Sequence, residues 1–357
     1  MNLVEVARLA GVSRSTVSRV LNDDRRVSPA VRARVQAIVA EHDYHPHAAA
    51  RSLASRRMRV LGLLISKAVV SLFTDPIYPL LIQGTAEACN AADHTLTMLM
   101  DTSVDGTAVE QLYCRVIRGR HVDGLILACQ TVDDPIVIRL KKDRFPFVLV
   151  GRHPGAEVSF IDIDSREAAR EAVTHLLDHG HRRIATVCGP PNLIASIDRH
   201  AGYVTALQEA GLPPDPSLVV FADFTQGGGY RAMRRLLAAG GRPPDALFAA
   251  SDAMAFGALA AIREAGLRVP ENIAVMGFDG LVDAAETRPP LSTVAQPMAD
   301  LGREAVRTLL ELIERPDQAP IQRFLPTQLI PRWSCGCQVT ERDSEGGVES
   351  EPIAVYA

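Results

Sequence analysis

Nine short apolar runs between residues 60 and 277 constrain the fold of this 357-residue chain more than any other feature. Each run lacks the alternation of a half-exposed strand, so each predicts a strand that is buried on both faces. Helix-length segments separate most of them, and strands that alternate with helices predict a doubly wound parallel α/β architecture. Because nine strands exceed one comfortable sheet, we expect two lobes. The runs are VLGLLI (60–65), TLTMLM (95–100), DGLILAC (123–129), PFVLV (146–150), VSFIDI (158–163), RIATVC (183–188), LVVFA (218–222), ALFAA (246–250) and IAVMG (273–277), and the segments between them include 76–92, 105–118, 165–179, 197–210, 226–239 and 251–265.

A different pattern occupies residues 3–22, LVEVARLAGVSRSTVSRVLN. Its first half repeats apolar residues at helical spacing and begins with Asn2 and Glu5 placed as a capping box. Gly11 ends this helix, because only glycine takes a left-handed turn at no steric cost. Ser13 then caps a second helix that runs to the end of the stretch. Two short helices joined by such a turn predict a helix-turn-helix.

The second helix has an apolar face and, opposite to it, a short-chained cationic face that starts at its N-terminus. In a helix-turn-helix this helix enters the major groove of DNA with its N-terminus first. We therefore predict that Arg14, Ser15 and Arg19 read base edges, whereas Thr16, Ser18 and Asn22 bond to phosphates. A surface hairpin with a solvated polar face is the alternative interpretation.

The distribution of charge along the chain favours the DNA-binding interpretation of this helix-turn-helix. The first 60 residues hold 11 Arg against 5 Asp and Glu, a net charge of +6, and the remaining residues carry a net charge of −10. A basic head on an acidic body is typical of a nucleic-acid-binding module attached to another domain.

Residues 1–44 are predicted to form a three-helix DNA-binding domain, with the third helix starting at Ser28-Pro29. Residues 45–59 are Ala-rich and basic, and they are too short to be stably helical alone. Leu53 is a large apolar side chain among arginines that include Arg51. The composition fits a solvated linker, but an apolar wedge among arginines is also what minor-groove binders use.

Several segments resemble the lactose-repressor/galactose-repressor (LacI/GalR) family of bacterial transcription regulators. The string AGVSRSTVSRVLN resembles the DNA-reading segment of that family, and the resemblance extends from about residue 3 to about residue 335. It implies a hinge whose Leu53 inserts into the minor groove, and a two-lobed ligand domain over 60–335 with crossings near 160, 290 and 323. The resemblance also implies that this chain is a ligand-responsive regulator. The simplest form of that function is a repressor of a sugar-utilisation operon that binds a near-palindromic operator as a homodimer. In the body, the resemblance lies in HLLDHGHRRIATVCGP (175–190), GLRVPENIAVMGFDG (266–280) and RPPLSTVAQPMADLG (288–302).

Candidate effector-binding residues lie at or after the ends of predicted strands, where ligands of open α/β sheets bind. The resemblance assigns Arg199 and Asp279 to effector-contacting positions and Phe224 to an aromatic platform. A carboxylate and an arginine suit hydroxyl groups, so we expect a sugar more than a nucleobase. Local roles stay open for the strand-end acids, such as a helix cap for Asp252. The predicted effector-binding set is Tyr78, Asp164, Arg199, Phe224, Asp252 and Asp279.

Other classes of protein are less well supported. With no apolar run of 18 residues and no secretory pattern, we expect a cytoplasmic protein. A ligand carrier of the periplasmic type does not explain the basic head. An α/β enzyme would need a phosphate-binding loop or a nucleophile with its base, and the Gly227–Gly229 run is better read as a helix start. We expect no cofactor.

The carboxyl-terminal region gives three further expectations. Cys335 and Cys337 lack a second Cys/His pair at zinc spacing, so we expect free thiols and no metal. Residues 336–357 are predicted to be a disordered acidic tail. Because this tail has no apolar heptads, a dimer is expected rather than a tetramer.

Overall fold

The computed structural model describes residues 1–21, 24, 26–44, 58–65, 76–100, 113–128, 131–132, 134–155 and 157–337. The chain divides into two compact units, residues 1–59 and 60–357. Most of the predicted hinge (45–57) and most of the predicted tail (338–357) lie outside the described residues, and so do Asn22, Arg51 and Leu53. Among the described helices, none combines the length and the apolarity needed to cross a membrane.

The first unit is a bundle of three helices, α1 (Leu3–Ala10), α2 (Arg14–Leu21) and α3 (Pro29–Glu41). The predicted capping box is confirmed, because Asn2 accepts bonds from the first turn and Glu5 accepts one from the Asn2 N–H. Gly11 takes the predicted left-handed conformation, with φ of 60°. Burial of the small core on facing sides of the helices holds the bundle together; its members are Val6, Ala7, Ala10, Val17, Val20, Val35 and Tyr44.

The second unit contains two lobes, of which the first is built on a six-stranded parallel sheet. Its strand order is β11-β5-β4-β3-β1-β2. The strands are β1 (Val60–Ile65), β2 (Thr95–Met100), β3 (Gly124–Ala128), β4 (Phe147–Val150), β5 (Phe160–Ile163) and β11 (Gln322–Leu325), and the helical segments are α4 (Ile77–Ala91), a π-helical turn (Tyr113–Arg118), α5 (Pro135–Lys142) and α11 (Met298–Glu314). Helix α11 packs against α4 and against the sheet, although it comes late in the chain.

The second lobe is built on a four-stranded parallel sheet with the order β7-β6-β8-β9. An antiparallel pair, β10 with β12, lies beside it. The strands are β6 (Ile184–Cys188), β7 (Val219–Phe221), β8 (Ala246–Ala249), β9 (Ala274–Met276), β10 (Thr293–Ala295) and β12 (Gln328–Ile330), and the helices are α6 (Ser165–Asp178), α7 (Ile194–Glu209), α8 (Gln226–Ala238), α9 (Asp252–Glu264) and α10 (Asp283–Glu286). Short 3-10 turns occupy Pro216–Leu218 and Trp333–Cys335.

The chain passes between the lobes three times, after β5, after β10 and after β11. Each sheet is parallel, so the loops that follow its strands gather at one edge. The edges of the two lobes face each other, and the space between them is the cleft described below.

The predicted doubly wound α/β fold is confirmed, and all nine apolar runs contain a strand. Strands β10, β11 and β12 were not predicted, because two of them have only three residues and β11 is a largely exposed edge strand without an apolar run. The Gly227–Gly229 run opens α8 as predicted. A Cβ at Gly229 would lie 2.1 Å from the Met254 carbonyl oxygen, so glycine there permits close packing of α8 on α9.

Candidate functional site

The polar face of α2 is presented to solvent. Arg14, Ser15 and Arg19 are exposed, whereas Val17 and Val20 on the other face are buried in the bundle. Thr16 and Ser18 are half-buried at the border between the two faces. The exposed guanidinium and hydroxyl groups of α2 are not part of the core of the bundle. They are therefore accessible to an external partner.

The start of α2 is shaped by Ser13. Its hydroxyl oxygen accepts the Thr16 N–H at 3.1 Å and lies 2.7 Å from the Ser15 hydroxyl oxygen. The backbone N–H groups of a helix N-terminus favour negative charge, and Arg14 adds a cation at the same end. This end of α2 suits a phosphate backbone with base edges beside it.

The cleft between the two lobes holds a cavity of about 130 Å³. Four of the six predicted effector-binding residues line it, namely Tyr78, Arg199, Phe224 and Asp279.

At the base of the cleft, Arg199 and Asp279 form a buried pair. Their side chains are 5% and 3% exposed, and 3.5 Å separates the guanidinium Nη1 from the carboxylate Oδ1. Arg199 also donates to the Ala250 carbonyl oxygen at 2.6 Å, and its guanidinium lies 3.8 Å from the centre of the Phe278 ring. The arginine is thereby held flat on an aromatic ring with its charge partly compensated.

Asp279 is tied to a crossing between the lobes. Its Oδ1 accepts from the Gln296 side chain at 2.6 Å, and its carbonyl oxygen accepts the Gln296 N–H at 3.0 Å. Its backbone has φ of 133°, a conformation that is uncommon outside glycine. The bonds with Gln296 help to hold the residue in this conformation. A ligand on Asp279 therefore touches a residue that is bonded to the segment joining β10 to α11.

A second cluster of charges spans the cleft. Arg152, which follows β4 in the first lobe, donates to Asp162 of β5 at 3.1 Å and to Asp198 of α7 in the second lobe at 2.5 Å. Burial raises the pKa of Asp162 to about 6, although Arg152 and a bond from the Ile163 N–H oppose that rise. Burial also raises the pKa of Asp198. Two carboxyl groups thus share one arginine where the lobes meet.

The apolar wall comes from Phe224 and Tyr78. Phe224 is half-buried, has a left-handed backbone with φ of 60°, and covers Gly189 so closely that a Cβ there would lie 2.1 Å from its ring. Tyr78 is on α4 in the opposite lobe. The cleft therefore combines charged groups at its base with an aromatic residue from each lobe.

The other two predicted residues, Asp164 and Asp252, lie off the cleft wall. Asp164 is an exposed helix cap whose carboxylate accepts the Glu167 N–H at 3.0 Å. Asp252 is fully buried and accepts from the Gly280 N–H, the Leu281 N–H and the Thr293 hydroxyl. Because these bonds occupy both carboxylates, we leave the two residues out of the proposed binding site.

The sequence reasoning did not select several residues that line the cleft. Arg152 directly follows a predicted strand, so the rule that chose Asp279 would have found it. Asp198 and Gln296 had no such signal, because one lies inside a helix and the other follows a strand too short to predict. The polar lining residues outside the predicted set are Arg152, Asp162, Ser165, Asp198, Ser251 and Gln296, of which Asp162 and Ser251 lie at predicted strand ends but were assigned local roles.

Comparison with known proteins agrees with this architecture. Residues 2–47 match the family described as bacterial regulatory proteins, lacI family, and residues 173–335 match a periplasmic binding protein-like domain. The chain is 40% identical over 334 residues to the HTH-type transcriptional regulator CelR of Thermobifida fusca, which covers 92% of this chain and 96% of that protein.

Two solved structures share the fold. A complex of the transcriptional regulator CelR with cellobiose superposes with a TM-score of 0.74 at 38% identity, over 94% of this chain and 99% of the other. A lac repressor dimer bound to operator and the anti-inducer ONPF superposes with a TM-score of 0.81 at 28% identity, again over 94% and 99%.

Proposed function

The chain belongs to the lacI family of bacterial regulatory proteins and is a DNA-binding transcription regulator, and from that premise we propose that it is a cytoplasmic repressor of sugar-utilisation genes. In this proposal its effector is a sugar that binds in the cleft between the lobes. The observation that carries the proposal is the composition of the cleft, with carboxylate and guanidinium groups at its base and an aromatic residue on each side.

The charged groups fit the hydroxyl groups of a sugar. Asp279 and Asp162 offer acceptor oxygens, and Arg199 and Arg152 offer forked donors, so adjacent hydroxyls find both kinds of partner. Phe224 offers one ring face to the apolar side of a sugar. The cellobiose complex of CelR supports a sugar, since that relative has the same overall fold and 38% identity.

In the head, we propose that Arg14 and Ser15 contact base edges, with Arg19 as a further base contact. Their exposure at the start of α2 supports this assignment. Thr16 and Ser18 are proposed to bond to phosphates, together with Asn22. Leu53, flanked by Arg51, is proposed to insert into the minor groove at the operator centre, as the family resemblance implies.

Repression and release are proposed to depend on the angle between the lobes. The predicted hinge is followed at once by β1 of the first lobe, so a movement of that lobe acts directly on the hinge. In a homodimer, two hinges that are too short to fold alone would form helices only when held together on DNA. The lac repressor dimer on its operator supports this arrangement. A sugar that prefers one lobe angle then shifts operator binding.

A thermal-shift screen of the full-length protein tests the effector class, because a ligand that binds only the folded state raises the unfolding temperature. We expect cellobiose or another sugar to raise it and adenosine to leave it unchanged. Arg14→Ala is the control and should respond to sugars like the wild type. A shift with nucleosides and none with sugars would overturn the assignment of a sugar effector.

A further inference from the structure

Four metal-ligating side chains meet at the far end of α6, away from the effector cleft. His175 is in the last turn of α6 and His179 is the C-cap of that helix, whereas Cys335 ends the last 3-10 turn and Cys337 follows two residues later. The candidate ligand atoms of His175, Cys335 and Cys337 all lie within 4.8 Å of one another. His179 joins them through Cys337.

The distances from His175 to the two cysteines are close to those across a tetrahedral zinc site. His175 Nε2 lies 3.3 Å from Cys335 Sγ and 3.5 Å from Cys337 Sγ, and His179 Nε2 lies 3.2 Å from Cys337 Sγ. With Zn–S of about 2.3 Å and Zn–N of about 2.0–2.1 Å, a tetrahedral ion holds sulfur and nitrogen about 3.5 Å apart. His175, Cys335 and Cys337 thus lie close to the positions of three zinc ligands, whereas His179 is outside this compact set and must move further to reach the same ion.

One of the histidines is also held in a tautomer that suits metal binding. His179 Nδ1 lies 2.8 Å from the His175 carbonyl oxygen, which can only accept, so Nδ1 carries the hydrogen and Nε2 presents its lone pair to Cys337. Metal-bound histidines are commonly oriented by such a bond from their second nitrogen.

We propose that His175, His179, Cys335 and Cys337 bind one Zn²⁺ per chain. The donor set is that of a closed structural zinc site with two nitrogen and two sulfur ligands. Cys335 is buried whereas His179 is exposed, so an ion can enter from solvent and finish beside the core.

The zinc ion would join two segments that each follow a crossing between the lobes. Helix α6 follows β5, and the 3-10 turn follows β12, which begins just after the third crossing. The turn is already attached to the second lobe, because Ser334 donates to the Val275 carbonyl oxygen and its N–H bonds to Pro290. The zinc ion would connect this turn to α6 through metal–ligand bonds.

The proposed site differs from the expectation drawn from Cys335 and Cys337 alone. The second ligand pair is present, as the H-x3-H spacing of HLLDH at 175–179, but 160 residues separate His175 from Cys335. No local sequence window contains both pairs, and only the fold brings them together.

The test uses the full-length protein, fully reduced and stripped of metal with a chelator. Zn²⁺ is titrated against a colorimetric chelator, and Co²⁺ is added in parallel because tetrahedral thiolate coordination gives it strong visible and near-ultraviolet absorption. We expect one equivalent of either ion per chain. Cys337→Ser and His179→Ala should each weaken Zn²⁺ binding by more than about 100-fold, beyond the usual cost of losing an outer-shell partner.

Matched controls are Cys114→Ser and His121→Ala, which remove an exposed cysteine and an exposed histidine from the first lobe. Both should bind Zn²⁺ and Co²⁺ as the wild type does. His179 is exposed, so His179→Ala should keep the metal-free unfolding temperature of the wild type, which separates a lost ligand from a lost fold. The proposal is overturned if the reduced protein binds no Zn²⁺, or if the site variants and the controls bind it equally.

Discussion

Helix α2 and the cleft between the lobes place their charged residues in opposite environments. Arg14 and Arg19 on α2 are exposed, whereas the Arg199 and Asp279 side chains at the base of the cleft are 5% and 3% exposed. The head core contains no arginine of α2, which leaves these side chains available for the proposed contact with DNA. The cleft charges are bonded to each other and to the backbone around them.

This difference predicts that substitutions of the charged residues on α2 change stability little, whereas substitutions of the charged residues in the cleft reduce it strongly. Exposed charges contribute little to stability, and substitutions there usually change it by no more than about 0.5 kcal/mol. Removing one member of a buried pair leaves the other charge uncompensated, which costs about 3–5 kcal/mol. The head can therefore change its specificity freely, whereas the cleft must change its ligand preference without unbalancing its charges.

The largest effect is expected for Arg199→Met in the cleft. The substitution leaves Asp279 buried without its cation and the Ala250 carbonyl oxygen without its donor, so unfolding of the ligand domain should become easier by about 3–5 kcal/mol. Urea unfolding monitored by far-ultraviolet circular dichroism measures this loss. Arg303→Met, which removes a partly exposed arginine from α11, is the control and should cost about 1 kcal/mol or less. Equal losses in the two variants would remove the contrast between buried and exposed charge.

A pH dependence is expected from Asp162. Burial raises its pKa from 3.8 to about 6, so the folded protein holds this proton more tightly than the unfolded chain does. Its contribution to stability is therefore complete below about pH 4 and is lost as the pH rises through about 6, by about 3 kcal/mol at most. The measurement is the difference in unfolding free energy between the wild type and Asp162→Asn across this range. A difference that does not fall as the pH rises would show that Asp162 has an ordinary pKa.

Asp279→Asn sharpens the comparison within the cleft. Asparagine has nearly the same shape as aspartate and keeps an acceptor oxygen, but it removes the charge. A hydrogen bond to a charged group contributes about 1.5–3 kcal/mol, so sugar affinity should fall by about 10- to 150-fold in calorimetry. Asp300→Asn on the exposed face of α11 should bind the sugar like the wild type. If Asp279→Asn does so too, the site has been misplaced.

Arg14→Ala is expected to have the smallest effect on stability and a specific effect on DNA binding. An arginine that binds guanine through two bonds contributes about 1–3 kcal/mol of discrimination at one base pair. Binding-site selection should return a changed preference at one position in each half-site, with an unchanged unfolding curve. Arg34→Ala removes an exposed arginine from α3 and should leave the motif unchanged. A motif that is only uniformly weaker for Arg14→Ala would make this arginine a phosphate contact.

The fold was largely predictable because its signals are local. Buried parallel strands are continuous apolar runs, so RIATVC and ALFAA predict β6 and β8 without any knowledge of their neighbours. Strand β11 carries no such signal, because it is an exposed edge strand that pairs with residues 162 positions earlier in the chain, in β5.

The site was predictable only in part, because the end of a strand indicates where a residue lies but not which way its side chain points. Arg199 and Asp279, which the family resemblance selected, both line the cleft. Asp252 follows a strand just as Asp279 does, yet its carboxylate turns to the backbone of residues 280–281. Asp198 faces the cleft from inside a helix, where only the packing of α7 against the first lobe's Arg152 reveals it.

The central claim, that sugar in the cleft and operator at the head are coupled, is tested most directly by one calorimetric titration. Cellobiose, or the sugar with the largest thermal shift, is titrated into the full-length protein with and without an operator obtained by binding-site selection. Because coupling is reciprocal, the account predicts that operator changes the sugar affinity by the same factor by which saturating sugar changes operator affinity, typically about 5- to 150-fold. Identical sugar affinity with and without operator would contradict it.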